Sequence, residues 1–323
     1  MGSNQRQVEV SYDVSNEFFR LWLDEAMFYT SAVFESDSQT LEAAQRNKMR
    51  ILSDFAGITA ESKVLDIGCG WGSAMEYIAR ERGAKLVHGV TLSRAQMEEI
   101  NRRGVPGVEA RVQDYRTFET DQRYSALVSI CMIDHLCSPE EARAGKALEI
   151  YRAYFKKAWE LTEPGAKFGL QAILRNRVPR DRKDLAELYW VTHEIFPGGL
   201  NPRLEELIAA VNPYWEVVEV HTRRDDYRRT THEWRRRLRA SEAKIRKDFG
   251  DQVFVDYDRY LSCCVTSFEK HYSSLSQLRL HRIDGLDGDD QHESRPTLRL
   301  VPAGGRGARA QAPARCRPQE RHR

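Results

Sequence analysis

Apolar positions along this chain fall into three successive patterns. Over residues 12–60 they recur at helical spacing. Asn16-Glu17-Phe18-Phe19-Arg20-Leu21-Trp22-Leu23 reads as one helix, and Thr40 caps a second that runs through Gln45 and Lys48. From Lys63 to about Ile173 short apolar runs alternate with amphipathic stretches. Residues 64–67, 85–90, 125–130 and, after a Pro164-Gly165 turn, 167–173 read as strands. Residues 73–82, 94–103 and 141–161 read as helices. Such alternation predicts an α/β fold with a parallel, doubly wound sheet. Residues 174–280 are helix-rich, with two more strand candidates at 215–221 and 272–280. From Asp284 the chain turns to Gly, Asp, Arg, Pro and Ala without periodicity, which predicts a disordered tail over 284–323.

Composition narrows the class. At 323 residues the chain can bury one large α/β core with an added cap, and 41% hydrophobic with 30% charged residues is ordinary for a globular protein. A net charge of +2 supplies no global field for nucleic acid. Six cysteines without a CxxC pair point to a reduced, cytoplasmic setting rather than a disulfide framework. No apolar run approaches bilayer length, which leaves only peripheral membrane contact open, and no His, Cys or carboxylate spacing suits a metal.

The first strand runs into Asp66-Ile67-Gly68-Cys69-Gly70-Trp71-Gly72. Glycines at 68, 70 and 72 allow a tight turn and close backbone approach to a ligand, at the N-terminus of the helix that begins near Ser73. The spacing departs from the GxGxxG of dinucleotide sites, and the carboxylate of Asp66 just before the glycines suits a ligand ammonium. Both details favour S-adenosylmethionine.

Longer blocks extend the reading: Tyr12-Asp13-Val14-Ser15-Asn16-Glu17-Phe18-Phe19, Phe28 to Phe34, Gln45-Arg46-Asn47-Lys48, Val64 to Gly72, Thr91-Leu92-Ser93-Arg94-Ala95-Gln96, Phe196-Pro197-Gly198-Gly199, and Asp226-Tyr227-Arg228-Arg229-Thr230 with Trp234. From Tyr12 to about Leu280 the chain resembles the cyclopropane-fatty-acid synthase family, which includes the mycolic acid cyclopropane synthases. The resemblance implies a class I methyltransferase Rossmann-like fold: a mostly parallel seven-stranded sheet, helices on both faces and a helical substrate cap. It implies an N-terminal cap over 1–60, a cofactor-binding core over 61–174, and substrate-cap helices with the last two strands over 175–283. Tyr29 and Thr30 then close over the methionine end of the cofactor, Thr91, Leu92 and Gln96 reach its ribose and adenosine, and Asp114 and Tyr115 lie near its adenine.

The implied reaction is methylation of an alkene carbon in a lipid or small molecule, through a carbocation that loses a proton. Family members hold a bicarbonate for that proton on a glutamate, a histidine, a tyrosine and backbone amides. Here Tyr227 matches the tyrosine, Asp134-His135 stands for a Glu-His pair, Gln171 replaces a histidine, and Ser31 replaces a cysteine. These changes speak against a bicarbonate held in the family's way and leave Asp134, His135 or Tyr227 to handle the proton or the cation directly. His135 is the better base by its ordinary pKa, about 6.5. The basic run 223–239 reads either as a solvated helix face or, through Arg228 and Arg229, as a handle for an anionic substrate. The rival readings are an amine N-methyltransferase of the same architecture and a protein that only binds the cofactor.

Overall fold

The computed structural model describes residues 15–285. Residues 12–14 of the first block above, and the tail expected to be disordered from 286 onward, lie outside the described residues. The described part opens with α1 (Asn16–Phe19) and α2 (Leu41–Phe55). The alternation follows: β1 (Lys63–Ile67), α3 (Ser73–Glu81), β2 (Leu86–Thr91), α4 (Arg94–Arg103), β3 (Val108–Val112), β4 (Tyr124–Ile130), α5 (Pro139–Arg143), α6 (Ala147–Glu160) and β5 (Thr162–Arg175). Then come α7 (Arg182–Trp190), α8 (Leu204–Val211), β6 (Trp215–Thr222), α9 (Arg224–Ala240), α10 (Glu242–Phe249), α11 (Asp251–Glu269) and β7 (Ser273–Arg282).

Seven strands form one sheet in the order β3-β2-β1-β4-β5-β7-β6. β1 to β5 pair in parallel, whereas β7 runs antiparallel to both β5 and β6. Successive side chains of a strand point to opposite faces, and these strands bury both. Leu65, Ile67 and Leu127 pack with Tyr151, Tyr154 and Phe155 of α6, while Val64, Ala126 and Val128 pack with Met75 and Ile78 of α3. A third cluster joins Phe18, Phe19, Trp22 and Leu23 to Trp234 of α9 and Tyr257 of α11.

Four local expectations are corrected. The segment 16–23 is helical only over Asn16–Phe19; Phe18, Phe19, Trp22 and Leu23 are all at most 3% exposed, so packing on every side overrides the one-faced helical pattern. The predicted helix 141–161 is two helices, separated at Gly145 with φ 76°, a backbone angle that favours glycine. The predicted fifth strand starts earlier, at Thr162. Pro164-Gly165 sits in an irregularity inside it, where Tyr124 pairs with Thr162 but Ala126 pairs with Lys167. Finally, β3 had no counterpart in the sequence reading, because Val-Glu-Ala-Arg-Val is short and only alternately apolar. Thr40 does cap α2, accepting from Ala43 N at 3.2 Å.

Candidate active site

The C-terminal ends of β1, β2 and β4 open onto a cavity of about 930 Å³, at the upper end of the range for small-molecule sites. Its floor is the glycine turn. The amides of Gly68 and Cys69 both donate to Val90 O at 3.0 Å, which ties the turn to β2. A Cβ at Gly68 would lie 2.5 Å from Met132 Cγ, so that glycine is a packing requirement. A Cβ at Gly70 meets nothing within 4 Å and would project into open space beside the cavity lining. Gly72, at φ 77°, leads directly into α3.

Asp66 lies behind the turn and is 1% exposed, and its Oδ1 has no hydrogen-bond partner among the described residues. Burial pushes its carboxyl up to about 7, against the pull of the Lys48 charge. An orphaned carboxylate oxygen beside an open cradle fits a cationic amino-acid end of a ligand.

The roof over the turn is Tyr29-Thr30, and α2 holds it. Lys48 Nζ donates to Thr30 Oγ1 at 3.0 Å, and Gln45 Nε2 donates to Thr30 O at 2.9 Å. Lys48 is fully buried, its ammonium 3.6 Å from the centre of the Phe28 ring, and burial pulls its pKa down. The sequence reading placed Lys48 in a block without giving it a role. The signal was present, since Leu41, Ala44, Lys48 and Leu52 share one helical stripe that is otherwise apolar. Thr91 donates to Gln96 Oε1 at 2.8 Å, and both line the cavity with Leu92. Asp114 and Tyr115 line it too, the Asp114 carboxylate accepting from Arg116 Nε at 2.9 Å.

Asp134, His135 and Tyr227 line the same cavity, the His135 ring 6.2 Å from that of Phe196. Asp134 does not cap the helix at Pro139, a role taken by Ser138 with Glu141. Its carboxylate instead accepts from Ile173 N at 3.0 Å, and burial pushes its pKa up to about 8. Enclosure pulls the His135 imidazole down to about 4, which leaves it uncharged near neutral pH. Tyr227 stacks on Phe268 with ring centroids 4.5 Å apart. Phe196 and Tyr260 line the cavity too, along with the Cys131 and Cys264 thiols.

Besides Asp66 and Gly72 on the cofactor side, four residues expected on the substrate side do not reach the cavity wall. Gln171 is fully buried behind it, accepting from Gln277 Nε2 at 2.9 Å and lying 3.7 Å from Cys131 Sγ. Ser31 donates to Ala32 O. Arg228 pairs with Asp225. Arg229 donates to Ser36 O and Asp37 O and lies 3.9 Å from the centre of the Phe34 ring, so it braces the cap loop.

A strand-end carboxylate, a turn that only glycine can form and a roof clamped from a preceding helix are how class I S-adenosylmethionine-dependent methyltransferases receive their cofactor, and this protein is one of them. The model of the mycolic acid cyclopropane synthetase family matches residues 2–278, and the chain belongs to that family. It is 30% identical to cyclopropane mycolic acid synthase 2 of Mycobacterium bovis over 84% of this chain and 93% of the relative. Identity to the cyclopropane-fatty-acyl-phospholipid synthase of Escherichia coli is 27%, over 84% of this chain and 66% of that one. Among solved structures, mycolic acid cyclopropane synthase CmaA1 complexed with SAH and CTAB superposes with a TM-score of 0.79 at 25% identity, covering 88% of this chain and 99% of that one. Coclaurine N-methyltransferase shares the fold, with a TM-score of 0.68 at 20% identity over 87% of this chain and 88% of that one.

Proposed function

We propose that this protein methylates an alkene carbon of a lipid acyl chain, by methylation or cyclopropanation, through a substrate carbocation. The observation that carries this reading is a cavity lining in which Phe196 stands 6.2 Å from His135 and 5.6 Å from Tyr260, Tyr227 stacks on Phe268, and burial keeps His135 and Asp134 uncharged. Bound S-adenosylmethionine supplies an electrophilic methyl group. Tyr29, Thr30, Asp66 and the glycine turn hold it, with Thr91, Leu92, Gln96, Asp114 and Tyr115 along its nucleoside.

As the alkene π electrons form a bond to that methyl carbon, its bond to sulfur would break, S-adenosylhomocysteine would leave with the electron pair, and positive charge would appear on the neighbouring alkene carbon. Aromatic faces stabilise such a cation without trapping it as a nucleophile would. The uncharged imidazole of His135 then takes the proton, closing a cyclopropane or restoring a methylated alkene. Asp134 positions the strand end beside it. Because Gln171 is spent on Gln277, bicarbonate is not needed in this scheme.

An amine acceptor has less support, since burial raises the carboxyl of Asp134 and so weakens it as an anionic partner for an ammonium. Incubation with methyl-labelled cofactor and unsaturated lipids in carbonate-depleted buffer tests the reading. Lipid that gains one labelled CH2 is expected. Labelled amines with unlabelled lipids, or turnover that returns only with added bicarbonate, would overturn it.

A further inference from the structure

Three large apolar side chains both line the cavity and stand exposed: Val178 at 69%, Leu185 at 47% and Tyr189 at 63%. Exposed residues of a cavity wall mark its openings; Arg116 and Glu160 stand at a polar one, these three at an apolar one. On α7, Arg182, Leu185 and Tyr189 follow one another at i, i+3 and i+7 and so share a stripe. Val178 and Arg180 lie in the segment that leads into this helix.

The charges here are sorted. Arg180, Arg182 and Lys183 are exposed, and none has a carboxylate within ion-pair distance among the described residues. The neighbouring acids are engaged: Asp181 caps α7 through the amides of Lys183 and Asp184, Asp184 pairs with Lys270, and Glu187 pairs with Arg259. The exposed Glu194 lies beyond the helix, in the turn Val191–Ile195. The result is an apolar rim flanked by unpaired cations, around one opening of an apolar cavity.

We propose that α7 and the segment before it dock on an anionic lipid bilayer, with Val178, Leu185 and Tyr189 entering the boundary between headgroups and acyl chains. Arg180, Arg182 and Lys183 then face the lipid phosphates, and an acyl chain passes into the cavity without crossing water. A soluble acidic carrier protein would answer the cations, but it would give the three apolar side chains no acyl region to enter. Among the described residues no helix is long and apolar enough to cross a membrane, so attachment is to one leaflet. This inference rests on the lipid reading above.

Co-sedimentation of the full chain with phosphatidylcholine vesicles, with and without phosphatidylglycerol, tests docking without any turnover. Binding to the anionic vesicles that weakens with salt is expected. Arg180→Glu/Arg182→Glu/Lys183→Glu should weaken it more than about a hundredfold, because each basic side chain lost near such a surface costs about fivefold and each added carboxylate is repelled. That variant should keep wild-type methyl transfer to detergent-dispersed unsaturated lipid, which also shows that it folds. Val178→Ser/Leu185→Ser/Tyr189→Ser should lose the binding that persists at high salt. Equal sedimentation of wild type and the charge variant, or binding only to an acidic carrier protein, overturns the docking. Vesicle binding with no transfer to any alkene leaves docking standing and overturns the reaction.

Discussion

At Gly70 the backbone adopts φ 53°, and a side chain there would project into open space beside the cavity. Gly70→Val should therefore fold but lose at least about a hundredfold in cofactor affinity by calorimetry, since a β-branched residue both strains the left-handed turn and fills the cradle. Unchanged affinity in the folded variant would contradict the cradle. Asp134 makes a different prediction. Its carboxyl is raised from 3.8 to about 8, so between those values the folded protein holds a proton that the unfolded chain releases. The contribution of that proton is full at low pH and is lost as pH rises through the window, by at most about 1.4 kcal/mol per unit. Asparagine has no such proton. The melting temperature of Asp134→Asn relative to wild type should climb from about pH 5 to about pH 8 and then level off. A difference that stays flat would mean a carboxylate ionised throughout.

Among the elements, α2 does more than cover the sheet, because Gln45 and Lys48 grip Thr30 by its carbonyl and its hydroxyl. Lys48→Met keeps the volume but leaves the buried Asp24 and Asp66 carboxyls without their cation, so the melting temperature should fall while the fold persists. Losing the grip should raise the Michaelis constant for S-adenosylmethionine about tenfold with a smaller change in kcat, the pattern of a lost binding contact. A lowered melting temperature with an unchanged Michaelis constant would reduce Lys48 to a packing residue. Elements whose signals are local were legible in the sequence: the Thr40 cap, the glycine turn, and α4, whose bounds were read as they stand. Misread elements have two causes: the break at Gly145 and the short, alternately apolar β3 are local, whereas one segment depends on distant partners. The 16–23 segment is shaped by Trp234 and Tyr257, far along the chain.

The same division holds for the whole molecule. Of the residues expected around a cofactor, Tyr29, Thr30, Gly68, Gly70, Thr91, Leu92, Gln96, Asp114 and Tyr115 line the cavity, most of them at one turn and the strand ends beside it. The substrate half gathers α7, α9, α11 and the end of β5 from nearly a hundred residues of chain. Gln171 is drawn off the wall by Gln277 of β7, which no local pattern could reveal. Because β7 ends at Arg282 and the family match ends at residue 278, removing residues 286–323 should leave the melting temperature and cofactor affinity unchanged. A fall in either would assign the tail a part in the folded unit.

The place of β7 between β5 and β6 also has a consequence for how the protein is made. Among the described residues β6 pairs with no strand except β7, the last of the seven in chain order. β1 to β5 can pair while the ribosome is still translating, so the glycine turn is in place early. A nascent chain that has not yet emerged past Ser273 carries β6 as an unpaired strand with Trp215 uncovered. Pairing of β6, and with it that edge of the sheet, therefore waits until β7 has emerged, after β1 to β5 have had time to pair.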